Sequence, residues 1–238
     1  MWQKSQTKID SKEKMEKAVL NYPLLPFFPN IIGGLSIEEM CAPGMLFGGN
    51  YTEGCWEWKG PVIRKRSAAY GKFFNRKAGF VNIEILPEFL NYRRFVYPVK
   101  EGSIDEMLLE IIRENDSLTS TELKQLIFGT KKRTRWDEIP DNDLPFGKTI
   151  KSKSLESPLQ RLQMGGWIII SDFEYKRTRQ GERYGWGVAR YSTPEIVFPD
   201  IMEKPVCKTP EESLEFIIKR MKKIKPLTLS KSWKSLLK

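Results

Sequence analysis

The chain has 238 residues, 40% of them hydrophobic and 12% aromatic, which is enough apolar material for one large domain or two small ones and too much for wholesale disorder. Its formal charge of +10 and pI of about 9.4 ask for a polyanionic partner, since each phosphate neutralised by Lys or Arg releases condensed counterions. There is no histidine, which excludes Ser-His-Asp and Cys-His catalysis, imidazole acid–base work and His-ligated metals.

Residues 11–21 have the pattern of a short helix, with Ser11 as cap and Met15, Val19 and Leu20 on one face. The first 17 residues lack the apolar stretch of a secretion signal, and no apolar run is long enough to span a bilayer, so cytoplasmic residence and no membrane partner are expected. Pro23, Pro26 and Pro29 predict an irregular apolar segment packed across another element. Ser36 with Glu39 fits a capping box. Cys41, Cys55 and Cys207 are odd in number and widely spaced. They form neither a disulfide framework nor a zinc set, so free buried thiols are expected, with no metal and no cofactor.

From Trp56 to Ile83 the spacing turns to strands, with Val62–Ile63, Tyr70–Phe74 and Ala78–Ile83 as β-rich pieces and Asn75-Arg76-Lys77 as the separator. Between Lys59 and Lys77 lie Lys59, Arg64, Lys65, Arg66, Lys72, Arg76 and Lys77, with no acid among them. Trp56, Trp58 and Tyr70 interleave as candidates for stacking on exposed bases. The same composition also describes a strand pair with its aromatics inward and its lysines in water. Residues 84–94 return to helical spacing, and Pro98 and Gly102 mark a boundary.

Beyond it, Ser103 and Glu106 cap a helix, Leu118-Thr119-Ser120 opens a second, and residues 129–151 form a long loop. A third helix runs from Lys153 to Met164, with Pro158 near its start, and carries Lys153, Gln160, Arg161 and Gln163. Gln160 and Gln163 share a face, where glutamine can read adenine and Arg161 can grip guanine; otherwise they are solvated residues on a core-packing helix. Residues 167–176 and 183–192 are two strands, joined by a basic tip holding Arg177 and Arg179 with Gly181 for the turn. Helix, helix, helix, strand, wing, strand is the order of a winged helix. Glu57, Glu84 and Glu88 are carboxylates near aromatics, and none is assigned a catalytic role.

The expected class is α+β: a basic, aromatic mixed region over 1–98, a winged-helix domain over 103–195, and a basic helical tail over 196–238. The tail carries an amphipathic helix broken by Pro226 and no acid after Lys219.

Several blocks resemble those of small bacterial AlkZ-related proteins: Trp56 to Pro61, Ala69 to Phe74, Lys77 to Phe80, Asn91 to Arg94, Leu159 to Met164, Asp172 to Lys176 and Tyr184 to Tyr191. The resemblance spans most of residues 40–195. It implies kinship with the AlkZ/YcaQ DNA glycosylases, which are built from winged helices and excise bases without a metal. Their Gln-x-Gln or Gln-x-Asp signature does not occur here; Gln160 and Gln163 stand as Gln-x-x-Gln. Their Glu-Tyr-Trp-x-His element has only Glu57-Trp58 as a counterpart. The expected function is therefore binding of duplex DNA. A glycosylase-like enzyme that extrudes a base against Trp56, Trp58 and Tyr70 is the alternative, and a winged-helix protein-interaction module is the third reading.

Overall fold

The computed structural model describes residues 8–48, 53–128, 155–181, 183–207 and 209–237. The long loop expected at 129–151, and Lys153 with it, lies outside them. The fold is α+β and, among the described residues, has two three-stranded antiparallel sheets with helices around each.

The caps read from the sequence are in place. Ser11 accepts from Lys14 N at the start of α1 (Lys12–Asn21). Ser36 accepts from Glu39 N at the start of α2 (Ile37–Met40), and the Ser36 hydroxyl donates in return to the Glu39 carboxylate.

The first sheet holds β1 (Leu24–Pro26), β2 (Ala68–Phe74) and β3 (Lys77–Asn82) in the order β1-β3-β2. The proline-rich segment thus contributes a strand, against the irregular course expected for it. β1 lies at the sheet edge, where a missing N–H is tolerated. Opposite Pro26 stands Gly79, where a Cβ would fall 2.7 Å from Pro26 Cα and 2.5 Å from the Phe74 ring. The β2–β3 connection is the two-residue turn Asn75-Arg76, both at positive φ (48° and 66°), as a type I′ hairpin requires.

Residues 55–64 correct the strand expected at Val62–Ile63. Cys55–Arg64 is helix α3. The Glu57 carboxylate accepts from Gly54 N at 2.9 Å and closes the first turn, and Cys55, Trp58, Val62 and Ile63 are buried at helical spacing. The β-branched pair suggested a strand; the cap and the burial period override that weak preference.

Strand alternation splits the first sheet into two buried faces. Leu24, Ala69 and Val81 point to a core shared with α4 (Leu86–Val96), α10 (Pro210–Ile224) and α11 (Ser230–Leu236). Leu25, Tyr70 and Phe80 point to a core shared with α1 and α3. The basic tail is therefore a structural layer: Leu214, Ile217, Ile218 and Met221 of α10 and Trp233 and Leu236 of α11 are buried in the first of these cores.

The second sheet holds β4 (Leu118–Thr119), β5 (Ile169–Arg177) and β6 (Arg183–Ser192) in the order β4-β6-β5. It shares a third core with α5 (Ile104–Glu114), α6 (Ser120–Phe128) and α7 (Glu156–Met164). Ser103 caps α5 through Glu106 N at 3.2 Å. Pro158 sits in the first turn of α7, the place where its missing donor costs least. Gly166, at φ +69°, ends α7; a Cβ there would meet Leu90 at 2.4 Å. The short helices α8 (Pro194–Val197) and α9 (Pro199–Met202) lead from β6 to α10.

Arg93 of α4 joins these parts. It is fully buried and donates from Nε to Met164 O at 2.6 Å and from Nη1 to Leu237 O, with its guanidinium 4.6 Å from the Tyr97 ring. Burial draws its pKa down to about 10.

Cys41 and Cys55 are bonded to one another, which corrects the expectation of free thiols. The chain between them folds back on itself: Met45 N donates to Ala42 O, and Cys55 N to Met45 O. The start of α3 is thereby brought beside the end of α2. Cys207 is free. Among the described residues no helix is long and apolar enough to cross a membrane, and no cluster of His, Cys, Asp and Glu could hold a metal.

Candidate nucleic-acid interface

The residues expected to meet phosphate between 59 and 72 are largely engaged within the protein. Arg64 Nη1 pairs with Asp172 Oδ1 at 2.7 Å, and Lys65 Nζ with Glu16 Oε2 at 3.0 Å. Arg66, at φ +53°, donates to Val197 O. Lys72 is half-buried in β2.

Lys59 is only 3% exposed. Its ammonium donates to Trp56 O at 2.6 Å and lies 3.6 Å from the Trp56 ring centroid and 4.7 Å from that of Phe173. Burial pushes its pKa down to about 8, opposed by the nearby Glu57 charge. A stability consequence follows. Between about pH 8 and 10.5 the unfolded chain keeps this proton and the folded chain has lost it, so the free energy of unfolding rises with pH by at most about 1.4 kcal/mol per unit. Below about pH 8 both states are protonated and the penalty of the buried ammonium is fully present. Urea unfolding across this window should give a rising stability in the parent and a smaller rise in Lys59→Met. Equal slopes would show that Lys59 does not titrate there.

Trp58 and Tyr70 are buried in the core below α3, and burial raises the Tyr70 phenol pKa. Neither offers a ring face to a base in this conformation. Trp56 is half-buried in an aromatic cluster. Phe27 meets it edge-on at 5.6 Å, Phe47 lies at 5.8 Å, and Trp186 of β6 stands perpendicular to it at 5.8 Å. Trp186 is 72% exposed, the aromatic ring that sequence reasoning passed over because it alternates with glycines on an ordinary-looking strand.

The two glutamines of α7 part company. Gln163 is 1% exposed; its Oε1 accepts from Lys72 N at 3.1 Å and its Nε2 donates to Leu159 O. The Lys72 N–H falls where β2 shifts register between Gly71 and Phe74, so Gln163 satisfies a donor released by the bulge. Gln160 is half-buried. Arg161 is exposed but forks onto Asp105, with Nε–Oδ2 2.8 Å and Nη2–Oδ1 2.6 Å, and this bond raises its pKa. Glu57 and Glu88 are also committed: Glu57 to Gly54 N, and Glu88 to Cys207 N and the Ser213 hydroxyl.

Other cations are exposed and carry no ion pair among the described residues. Arg76 and Lys77 are exposed at the β2–β3 tip, and Asn75 Nδ2 donates to Ser235 O of α11. On α10, Lys219, Lys222 and Lys223 share the exposed face; on α11, Lys231 and Lys234 are exposed. None of these seven is ion-paired among the described residues. Glu211 and Glu212 stand in the first turn of α10 and Lys222 and Lys223 in its last, which also suits the helix dipole. At the β5–β6 end, Lys176 and Arg179 are exposed, and Arg177 closes β5.

A family model described as AlkZ related matches residues 9–238. Among solved structures, a DNA glycosylase AlkZ of Streptomyces sahachiroi is similar at 15% identity and a TM-score of 0.39, over 69% of this chain and 41% of that one. No curated protein matches.

Proposed function

We propose that this chain, which belongs to the AlkZ-related family, is a DNA-binding protein that holds duplex backbone on the surface made by the β2–β3 tip with α10 and α11. The observation that carries this reading is the set of exposed cations without an ion pair among the described residues at Arg76, Lys77, Lys219, Lys222, Lys223, Lys231 and Lys234, of which Lys77 donates to Pro29 O. Charge left without an internal counter-ion is charge available to phosphate. The arrangement of α5, β4, α6, α7, β5 and β6, with sheet order β4-β6-β5, supports a winged-helix reading of the second sheet and its helices, the β5–β6 hairpin being the wing. On that reading Lys176, Arg177 and Arg179 add backbone contacts beside the main surface.

The test is a binding titration of labelled duplex against two variants. Replacing Arg76, Lys77, Lys231 and Lys234 with glutamine should remove most of the affinity. Replacing Arg177 and Arg179 with alanine should weaken binding by about tenfold and leave the melting temperature unchanged, because hairpin-tip charges contribute little to folding. A four-site variant that binds like the parent would sink the assignment of this surface. A wing variant that binds like the parent would remove the wing from the interface.

The second reading, extrusion of a base, is favoured by one observation. Trp186 and Phe47 are exposed large aromatics flanking Trp56. They offer a stacking surface in place of the pocket expected from Trp58 and Tyr70.

A further inference from the structure

We propose that the turn between α10 and α11 is an apolar wedge that enters a base step of duplex DNA and bends it; the inference rests on the DNA-binding reading above. Leu227 is 96% exposed at the apex of this turn, and Leu229 is 60% exposed. A single exposed leucine is ordinary. Two within the five residues that join α10 to α11, on a rigid mount and among lysines, are a different case.

The mount is stiff. Pro226 fixes its own φ at the start of the turn. Thr228 N donates to Lys225 O at 3.2 Å, and Ser232 N to Leu229 O at 3.0 Å. Met221 before the turn and Trp233 after it are fully buried, so both flanking helices are anchored in the core. A side chain that separates stacked bases must resist being pushed aside, and this geometry supplies that resistance.

The surround is cationic. Lys222, Lys223, Lys231 and Lys234 are exposed on the two helices, and no carboxylate occurs from Lys219 to Lys238. The neighbouring loop is tied in on both sides: Pro29 O accepts from Lys77 Nζ at 3.1 Å, and Gly33 O accepts from Lys225 Nζ. Between those two attachments Ile31 is 62% exposed, a third apolar side chain in the same basic setting. An apolar tip among lysines matches the minor groove, where phosphates line both rims and aliphatic wedges part a base step. An anionic lipid surface shares the same broad chemistry. It is the weaker fit, because membrane-surface helices lay an apolar face on the bilayer, and here the apolar faces of α10 and α11 are already in the core.

The experiment uses the full chain and two end-labelled duplexes, one with a flexible TA step at its centre and one with a stiff A-tract. Energy transfer between the ends reports bending. The parent should bend the TA duplex and bind it about tenfold more tightly than the A-tract, because the flexible step is easier to unstack. The double variant Leu227→Ser, Leu229→Ser should lose the bend and the preference while its A-tract affinity stays within about twofold, since phosphate contacts are untouched. Leu227→Phe should keep the bend. Bending that persists in the double variant, or parent binding without bending, overturns the wedge and leaves the DNA-binding reading standing. A parent that binds neither duplex overturns both. Binding of phosphatidylserine vesicles that is lost in the double variant, with DNA bending unchanged, also overturns the wedge and assigns the turn to lipid.

Discussion

Raising the salt from about 50 to about 200 mM should lower the affinity for duplex DNA by about three to five decades, the loss that accompanies six to ten phosphate contacts. The seven cations without an ion pair on the β2–β3 tip, α10 and α11, with Lys176 and Arg179 at the β5–β6 end, supply a number of charges in that range. The slope of log affinity against log salt carries more information than the affinity itself. Each phosphate contact contributes about 0.9 to it, so replacing Arg76, Lys77, Lys231 and Lys234 with glutamine should flatten it by about 3 to 4. Replacing Arg64 and Lys65 should change it little, because those side chains are held by Asp172 and Glu16. A parent affinity that stays level as salt rises would rule out the electrostatic reading. A slope that falls with Arg64 and Lys65 and not with the tail would move the interface to α3.

Trp233→Ala should cost about 3–5 kcal/mol of stability, the usual range for emptying a fully buried indole. In a chain of this size that is a fall of about 6–20 °C in melting temperature. The reason lies in the helix that carries it. α11 has seven residues, too few to hold helical form alone, so its order comes from the burial of Trp233 and Leu236 against the first sheet. Trp233→Phe should lose less than the alanine variant because it refills most of the volume. Thermal melts followed by circular dichroism decide it: a Trp233→Ala variant that melts within about 2 °C of the parent would mean that α11 is not part of the core.

What the sequence made legible is what local chemistry determines. Ser11, Ser36 and Ser103 announce their helices because a capping side chain must lie three residues from the N–H it satisfies. The β5–β6 hairpin shows in its spacing and turn glycine. β1 and α3 were hidden, since a proline rule and a β-branched pair are weak local preferences that long-range packing overrides. The site was less legible still. Charge along residues 59–77 is visible in the sequence, but its neutralisation is not. Arg64 meets Asp172 across 108 positions, and Lys65 meets Glu16 across 49. Gln163 looks like a base-reading residue until the released Lys72 N–H is seen beside it, 91 positions away. The cations of the tail were visible as composition, and only the fold showed that α11, which carries Lys231 and Lys234, stands beside the β2–β3 tip.

The layering of the first sheet also bears on how the protein is made. Leu24, Ala69, Val81 and Phe89 emerge from the ribosome long before Leu214, Met221 and Trp233, which cover them. At about 5–20 residues per second the delay is several seconds or more, and throughout it one face of a β-sheet faces water. Arg93 waits as well, because its carbonyl partners at Met164 and Leu237 do not yet exist. The docking of α10 and α11 is therefore the step that closes this core.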